Sequence, residues 1–448
     1  MSKALLLVTI GNISSAASQW YLVWLFAQHD GAAAVGQYST LIALLTPVFI
    51  SSQLGLRNLF ITLQTHVRWS VYLAVRATTI LISVALTTTC LWLVSDNVNI
   101  QFAGALLLIK VFESVSDLYS ARLLRAERLS LIGMISILSA VANGLSATII
   151  VTNGDSIAVA LCGTAVVTCA STCVVVWFSL RTPLPRPRDF ADSQKKRSPE
   201  QYQHRQLKAE VGTLVRAGIP MSLMQGTYTL LSYVPLGIVG FFGTAEDIGR
   251  FSSAAYLVVF ANLVGASAET VLLPSYRRIY NGSGQTRVLH QALSRGFVIV
   301  ICLSPLVLLA LFIGPWLLQT VYGQDFVLSR SAVGLFAAAA ILTVPTYLMS
   351  ATLLVLNRYW ATTFVGASSI VLVVGSGWIS GNMGAGPVEA GATALLCGSI
   401  GRLVGEILFA RIPQRPRTAN AAITSSLSEP DDLHAHSVQA STFAEEQS

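Results

Sequence analysis

The chain has 448 residues, of which 53% are hydrophobic and 11% charged, and its mean hydropathy is +0.64. Soluble domains carry about 25% charged residues, so this composition excludes an ordinary soluble enzyme or binding module and describes a chain solvated largely by lipid. The net charge of +7 is spread over loops between apolar runs, unlike the clustered basic face of a nucleic-acid-binding protein.

About twelve apolar runs, each roughly 20 residues long, follow in chain order. They cover about 4–28, 36–60, 70–94, 99–120, 130–151, 155–180, 212–241, 248–275, 291–320, 331–356, 359–382 and 387–410. Backbone polar groups inside lipid must be satisfied within the segment, so the runs are helices, and the alternation of barrel strands is absent. The first run carries Lys3 and a short apolar core, as a signal peptide would, but it continues to Phe26 without a clean cleavage site. It reads as a retained span.

Basic residues sort by loop. Arg57 and Arg68 flank the second loop, and Arg122, Arg125 and Arg128 fill the fourth. The sixth runs from Arg181 to Lys208 and is the most basic, the eighth holds Arg277, Arg278 and Arg287, the tenth Arg358, and the tail Arg411, Arg415 and Arg417. Odd-numbered loops hold only Arg250 and Arg330. The positive-inside rule then places both termini in the cytoplasm.

A repeat organises the spans. "DGAAAVGQYSTL" (Asp30–Leu41) returns as "GTAEDIGRFSSA" (Gly243–Ala254), with Gly36 on Gly249 at an offset of 213 residues. The offset carries span one onto span seven. Six spans per unit return the chain to the same side, so two parallel halves related by an axis along the membrane normal are expected. The expected fold is an all-α polytopic membrane protein of about twelve transmembrane helices in two parallel six-helix repeats. Residues 1–180 form an N-terminal lobe, 181–211 a cytoplasmic basic linker, 212–411 a C-terminal lobe, and 412–448 a disordered cytoplasmic tail.

Polar residues inside the spans mark the candidate site. Asn12, Ser15 and Gln19 share one face of span one, and the offset places Gln225, Tyr228 and Ser232 on the matching face of span seven. A shared cavity is one reading of these faces, and helix–helix hydrogen bonding the other. In span four Lys110, Glu113 and Asp117 fall on one stripe, with Lys110 near mid-depth. A Lys110–Glu113 pair that only tunes packing is the competing reading, and Asp117 lies near enough to the interface to snorkel. Span twelve carries Arg402 and Glu406 one turn apart. Arg57 and Glu269 occupy nearly equivalent places in the two halves with opposite signs, and they are expected to pair across the cytoplasmic mouth. Cys169 and Cys173 share a helix face, but no histidine lies nearby to complete a metal site. No metal, cofactor or catalytic residue is expected.

At the residues "GAAAVGQYSTLIALLTPVFISSQLGLRNL" and "KVFESVSDLYSARLLRAERLSLIGMISIL" (Lys110–Leu138) the chain resembles a known family. It is similar to the polysaccharide and O-antigen flippases of the multidrug/oligosaccharidyl-lipid/polysaccharide exporter superfamily. The glycine and glutamine usual after the acidic motif are Ala121 and Leu124 here. The resemblance implies a flippase of undecaprenyl-diphosphate-linked oligosaccharide in the bacterial inner membrane, serving surface polysaccharide synthesis by alternating access. Lys110 and Arg402, with Arg57 at the mouth, would attract the diphosphate or an acidic sugar. Glu113, Asp117, Glu269 and Glu406 would be candidates for ion or proton coupling. The lipid-linked glycan, the bilayer and the polysaccharide polymerase machinery are the implied partners, and nucleic acid is not. A multidrug or small-molecule exporter on the same fold is the alternative. A glycan polymerase or ligase is a weaker one, because the outer loops are short. No GxxxxGK[ST] motif occurs, so ATP is not a direct driver.

Overall fold

The computed structural model describes residues 3–62, 67–94, 99–183, 200–356 and 358–413. The described chain is helical. The elements are α1 (Lys3–Ser52), α2 (Leu56–Thr62), α3 (Trp69–Val94), α4 (Ile100–Arg125), α5 (Leu129–Thr152), α6 (Ile157–Arg181), α7 (Glu200–Phe242), α8 (Ala245–Tyr322), α9 (Arg330–Val355), α10 (Tyr359–Asn382) and α11 (Pro387–Arg411). A single 3₁₀ turn, Gln324–Phe326, precedes α9.

Two of these helices are pairs of rods joined at a glycine. In α1 the helical path breaks at Gly31, with φ 74°, a region that side chains make costly and glycine enters freely. In α8 the same happens at Gly284, with φ 79°. Split at those points, α1 and α8 supply two legs each, and with α3–α7 and α9–α11 they make the expected twelve rods. Among the described residues nine helical segments are long and apolar enough to cross a membrane. The helices α4 and α7 are not among these segments, and both carry several charged side chains. The helix α7 already starts at Glu200, inside the stretch read as a linker. Most of the remaining linker (184–199) and the tail from 414 onward lie outside the described residues.

The turns alternate between two ends of the bundle. One, the corner end, carries Gly31 and the junction of α7 with α8. There Thr244 caps α8 through a reciprocal capping box with Asp247, satisfying amides that would otherwise be orphaned. The other, the basic end, carries the arginine-rich connections. The largest apolar core lies toward the corner end and draws on both halves of the chain. It unites Phe26, Val35 and Leu45 of α1 with Phe251 of α8, Phe336 of α9 and Val388 of α11.

The repeated stretch lies inside this core. A Cβ built on Gly36 would overlap the carbonyl oxygen of Ala245, and one on Gly249 would overlap that of Ala32 and approach within 3.1 Å of the Gly36 nitrogen. Ala32 and Gly36 precede Ala245 and Gly249 by the same 213-residue offset, so the contact is reciprocal, as a two-fold relation between the halves requires. Around it, Trp20 Nε1 donates to Tyr322 Oη at 2.8 Å, Trp24 Nε1 to the Val321 carbonyl at 2.8 Å, and Gln28 Nε2 to the same carbonyl at 2.9 Å. The corner end is therefore closed.

Candidate functional site

Away from the corner the halves separate around a cavity of about 440 Å³. Its walls come from the second leg of α1 (Thr46, Phe49, Ile50) and Gln53 just past its end, from α4 (Lys110, Glu113) and from α7 (Gln225, Tyr228, Thr229). Drug-sized ligand sites occupy roughly 300–1,000 Å³, so the space suits a small molecule or the polar head of a larger one. Lys110 Nζ lies 2.9 Å from Glu113 Oε2. The Lys110 side chain is mostly covered and that of Glu113 43% exposed, and both line the cavity.

Tyr228 forms a partition between this cavity and a buried network in the second half. Its hydroxyl donates to Glu406 Oε1 at 3.1 Å, and its ring lies 4.0 Å beneath the guanidinium carbon of Arg402. Arg402 Nε donates to Glu406 Oε1 at 3.0 Å, and its Nη2 to Ser350 Oγ at 3.1 Å, while Ser350 donates to the same carboxylate oxygen at 2.8 Å. Tyr347 covers the guanidinium from another side, 5.3 Å from ring centroid to carbon. Glu406 is fully buried, and its second oxygen has no hydrogen-bond partner. Glu269 enters the same neighbourhood from α8. Gly265, one turn before it, packs on the Tyr347 ring, and Glu269 lies within electrostatic reach of Arg402 and Glu406 without forming an ion pair. A second, small cavity of about 50 Å³ touches Arg402, Ser232, Asn262, Thr343, Thr346 and Ser399.

A third cluster lies nearer the basic end of the first half. Asp117 Oδ2 meets Arg76 Nη2 at 2.9 Å and Asp117 Oδ1 meets Arg57 Nη1 at 3.4 Å. Arg76 also donates to Ser114 Oγ at 3.4 Å and is 3% exposed, whereas Arg57 is 40% exposed. The basic end is tied across the halves by Arg68 Nε and Glu210 Oε1 at 3.2 Å, and by the Ser222 hydroxyl on the Ser51 carbonyl.

Several expected features come together here. The Lys110–Glu113 and Arg402–Glu406 pairs form as their spacing implied, and Gln225 and Tyr228 reach the inter-half cavity while Ser232 reaches the smaller one. Asn12, Ser15 and Gln19 do not join them. They are exposed and line neither of the two cavities, and Tyr256 Oη donates to the Gln19 carbonyl at 3.4 Å. The expected Arg57–Glu269 pair is replaced: Arg57 turns to Asp117 in its own half, and Glu269 faces the Arg402 network. Nor does Asp117 snorkel, since two guanidinium groups clamp it. Arg76, Ser350 and Tyr347 were not anticipated. Arg76 had a signal, being the one charge in the apolar stretch Trp69–Val94. Nothing local distinguishes Ser350 or Tyr347.

No family model matches the chain, and no curated protein matches it in sequence. Solved structures do match. An inward-facing multidrug resistance MATE family transporter of the MOP superfamily superposes with a TM-score of 0.65 at 14% identity, over 92% of this chain and 98% of the other. A MOP superfamily transporter from Pyrococcus furiosus, whose reversed binding-pocket polarity suggests a different function, gives 0.58 at 14% identity over 91% and 93%. A Vibrio cholerae MATE transporter gives 0.58 at 14% identity over 94% and 96%. The chain therefore has the fold of the MATE transporters of the MOP superfamily.

Proposed function

We propose that the protein is a membrane transporter working by alternating access, with an anionic head group held between the halves. The carrying observation is the charge inventory around the cavity. The first-half wall and the cluster behind it set three cations (Arg57, Arg76, Lys110) against two carboxylates (Glu113, Asp117). The second half sets one guanidinium, Arg402, against Glu269 and Glu406. The four cations and four carboxylates balance over both halves, and Lys110 and Glu113 are the two that line the cavity; the first half carries an excess of one positive charge, together with the amides of Gln53 and Gln225 that can hydrogen-bond phosphate or sugar oxygens. The finer reading is a flippase of diphosphate-linked oligosaccharide across the bacterial inner membrane. In it the basic end is cytoplasmic, and the corner end, closed in this conformation, faces the far side. The cavity would then receive the head group and leave the lipid and the distal sugars outside.

Export of small molecules is the second reading. It is favoured by the multidrug transporters among the structural neighbours and by a cavity of drug-sized volume.

Proteoliposomes separate the two. The flippase reading expects a labelled prenyl-diphosphate glycan to change leaflets with the native protein, and at least tenfold more slowly with Lys110→Met at equal protein content. Efflux of a cationic dye with no glycan movement would overturn it in favour of the second reading.

A further inference from the structure

We propose that Ala32 and Gly36 of α1, with Ala245 and Gly249 of α8, form a backbone latch that holds the corner end shut and parts when the cavity opens on that side. The proposal rests on the alternating-access reading but not on any substrate.

The first observation is the closeness of the approach. At both glycines the position of a Cβ is already taken by a carbonyl of the opposite half, so the two helices touch backbone to backbone. Ordinary helix pairs, held apart by side chains, stand about 8–10 Å between axes. Small residues four apart on each helix are the pattern that permits closer approach in lipid, where no hydrophobic effect drives helices together. Such crossings are held by dispersion and by Cα–H···O contacts.

The second observation is reciprocity. Each half supplies the same two small residues at an offset of 213, and each glycine meets the other half's alanine. The contact therefore sits on the two-fold relation itself. Rigid-body motion of the halves there separates a residue from its own repeat.

The third is what surrounds it. Val35 and Phe251, neighbours of the two glycines, are 0% and 2% exposed, and Ala32, Gly36 and Gly249 are buried while Ala245 stays exposed at the rim, so the contact is dry on its inner side. The polar ties nearby, from Trp20, Trp24 and Gln28, are few and individually modest. Backbone contact without interdigitated side chains needs no rotamer change to separate, which suits a surface that opens and closes repeatedly.

The test is a distance measured by spin-label spectroscopy between His29→Cys and Glu246→Cys, both exposed at the corner, with the six native cysteines replaced. The otherwise native protein should show a short component, and its absence would overturn the proposal. Gly36→Ala and Gly249→Ala should each lengthen the distance by at least ~2 Å, the step from close contact to ordinary helix spacing. Leucine at either position should lengthen it further. Gly104→Leu on α4, where a Cβ meets open space, should change nothing. An unchanged distance in the folded alanine variants, or a shift from only one of the two glycines, would sink the latch. No substrate is added, so that result would leave the transport assays above untouched.

Discussion

The Arg402–Glu406 network invites a direct measurement. Replacing Arg402 by methionine keeps most of the aliphatic stem and removes the charge. Glu406, with no exposed surface, then keeps only the hydroxyls of Ser350 and Tyr228 on Oε1 and nothing on Oε2. Loss of one charge-assisted hydrogen bond costs about 1.5–3 kcal/mol. Breaking a buried pair by removing one partner costs about 3–5 kcal/mol in total, because the survivor is left uncompensated. The cation over the Tyr228 ring, at 4.0 Å, contributes about 1 kcal/mol of that sum. Arg402→Met should therefore destabilise by about 3–5 kcal/mol, while Arg402→Met with Glu406→Gln should recover at least ~2 kcal/mol, since no buried charge remains. Equilibrium unfolding in mixed micelles of the two singles and the double gives the coupling directly. A single variant costing under ~1 kcal/mol, or a double no more stable than Arg402→Met alone, would refute a buried, mutually dependent pair.

Asp117 offers a graded version of the same experiment. Arg76→Met, which removes the buried partner at 2.9 Å, should cost ~3 kcal/mol, and Arg57→Met, removing the half-exposed one at 3.4 Å, under ~1 kcal/mol; equal costs in the same unfolding assay would contradict the geometry. A double-mutant cycle between Arg57 and Glu269 should show no coupling, and one above ~0.5 kcal/mol would restore the pair that the structure lacks. At the first corner Gly31→Ala should cost ~1–3 kcal/mol, because φ 74° with ψ −164° is a backbone region essentially restricted to glycine. At the second, Thr244→Ala should cost ~1 kcal/mol by removing the cap, and thermal melts of the two variants check both figures.

The fold was largely legible because lipid leaves a chain few options. Runs of roughly 20 apolar residues have to be helices, and the Gly36–Gly249 match carried the duplication. Within the site, pairs one turn apart on one helix were legible, as with Lys110–Glu113 and Arg402–Glu406, since helix geometry alone brings them together. Contacts between helices were not. Arg57 and Glu269 are nearly equivalent in the repeat, and equivalence was mistaken for nearness. Residues related by a two-fold meet only if they lie on the axis, as Gly36 and Gly249 do; away from it, each finds partners in its own half. The polar face of Asn12, Ser15 and Gln19, exposed and outside both cavities, makes a related point. Periodicity says which residues share a face, but it does not say what that face looks toward.

The two corners reach the same contact by different constructions. At the first, two helical legs meet directly at one glycine in a non-helical conformation, Gly31. At the second, the helix stops at Phe242 and a new one begins behind a capped threonine. Yet Ala32, Gly36, Ala245 and Gly249 arrive opposite one another regardless. Between the two copies the manner of turning has drifted and the touching surface has not.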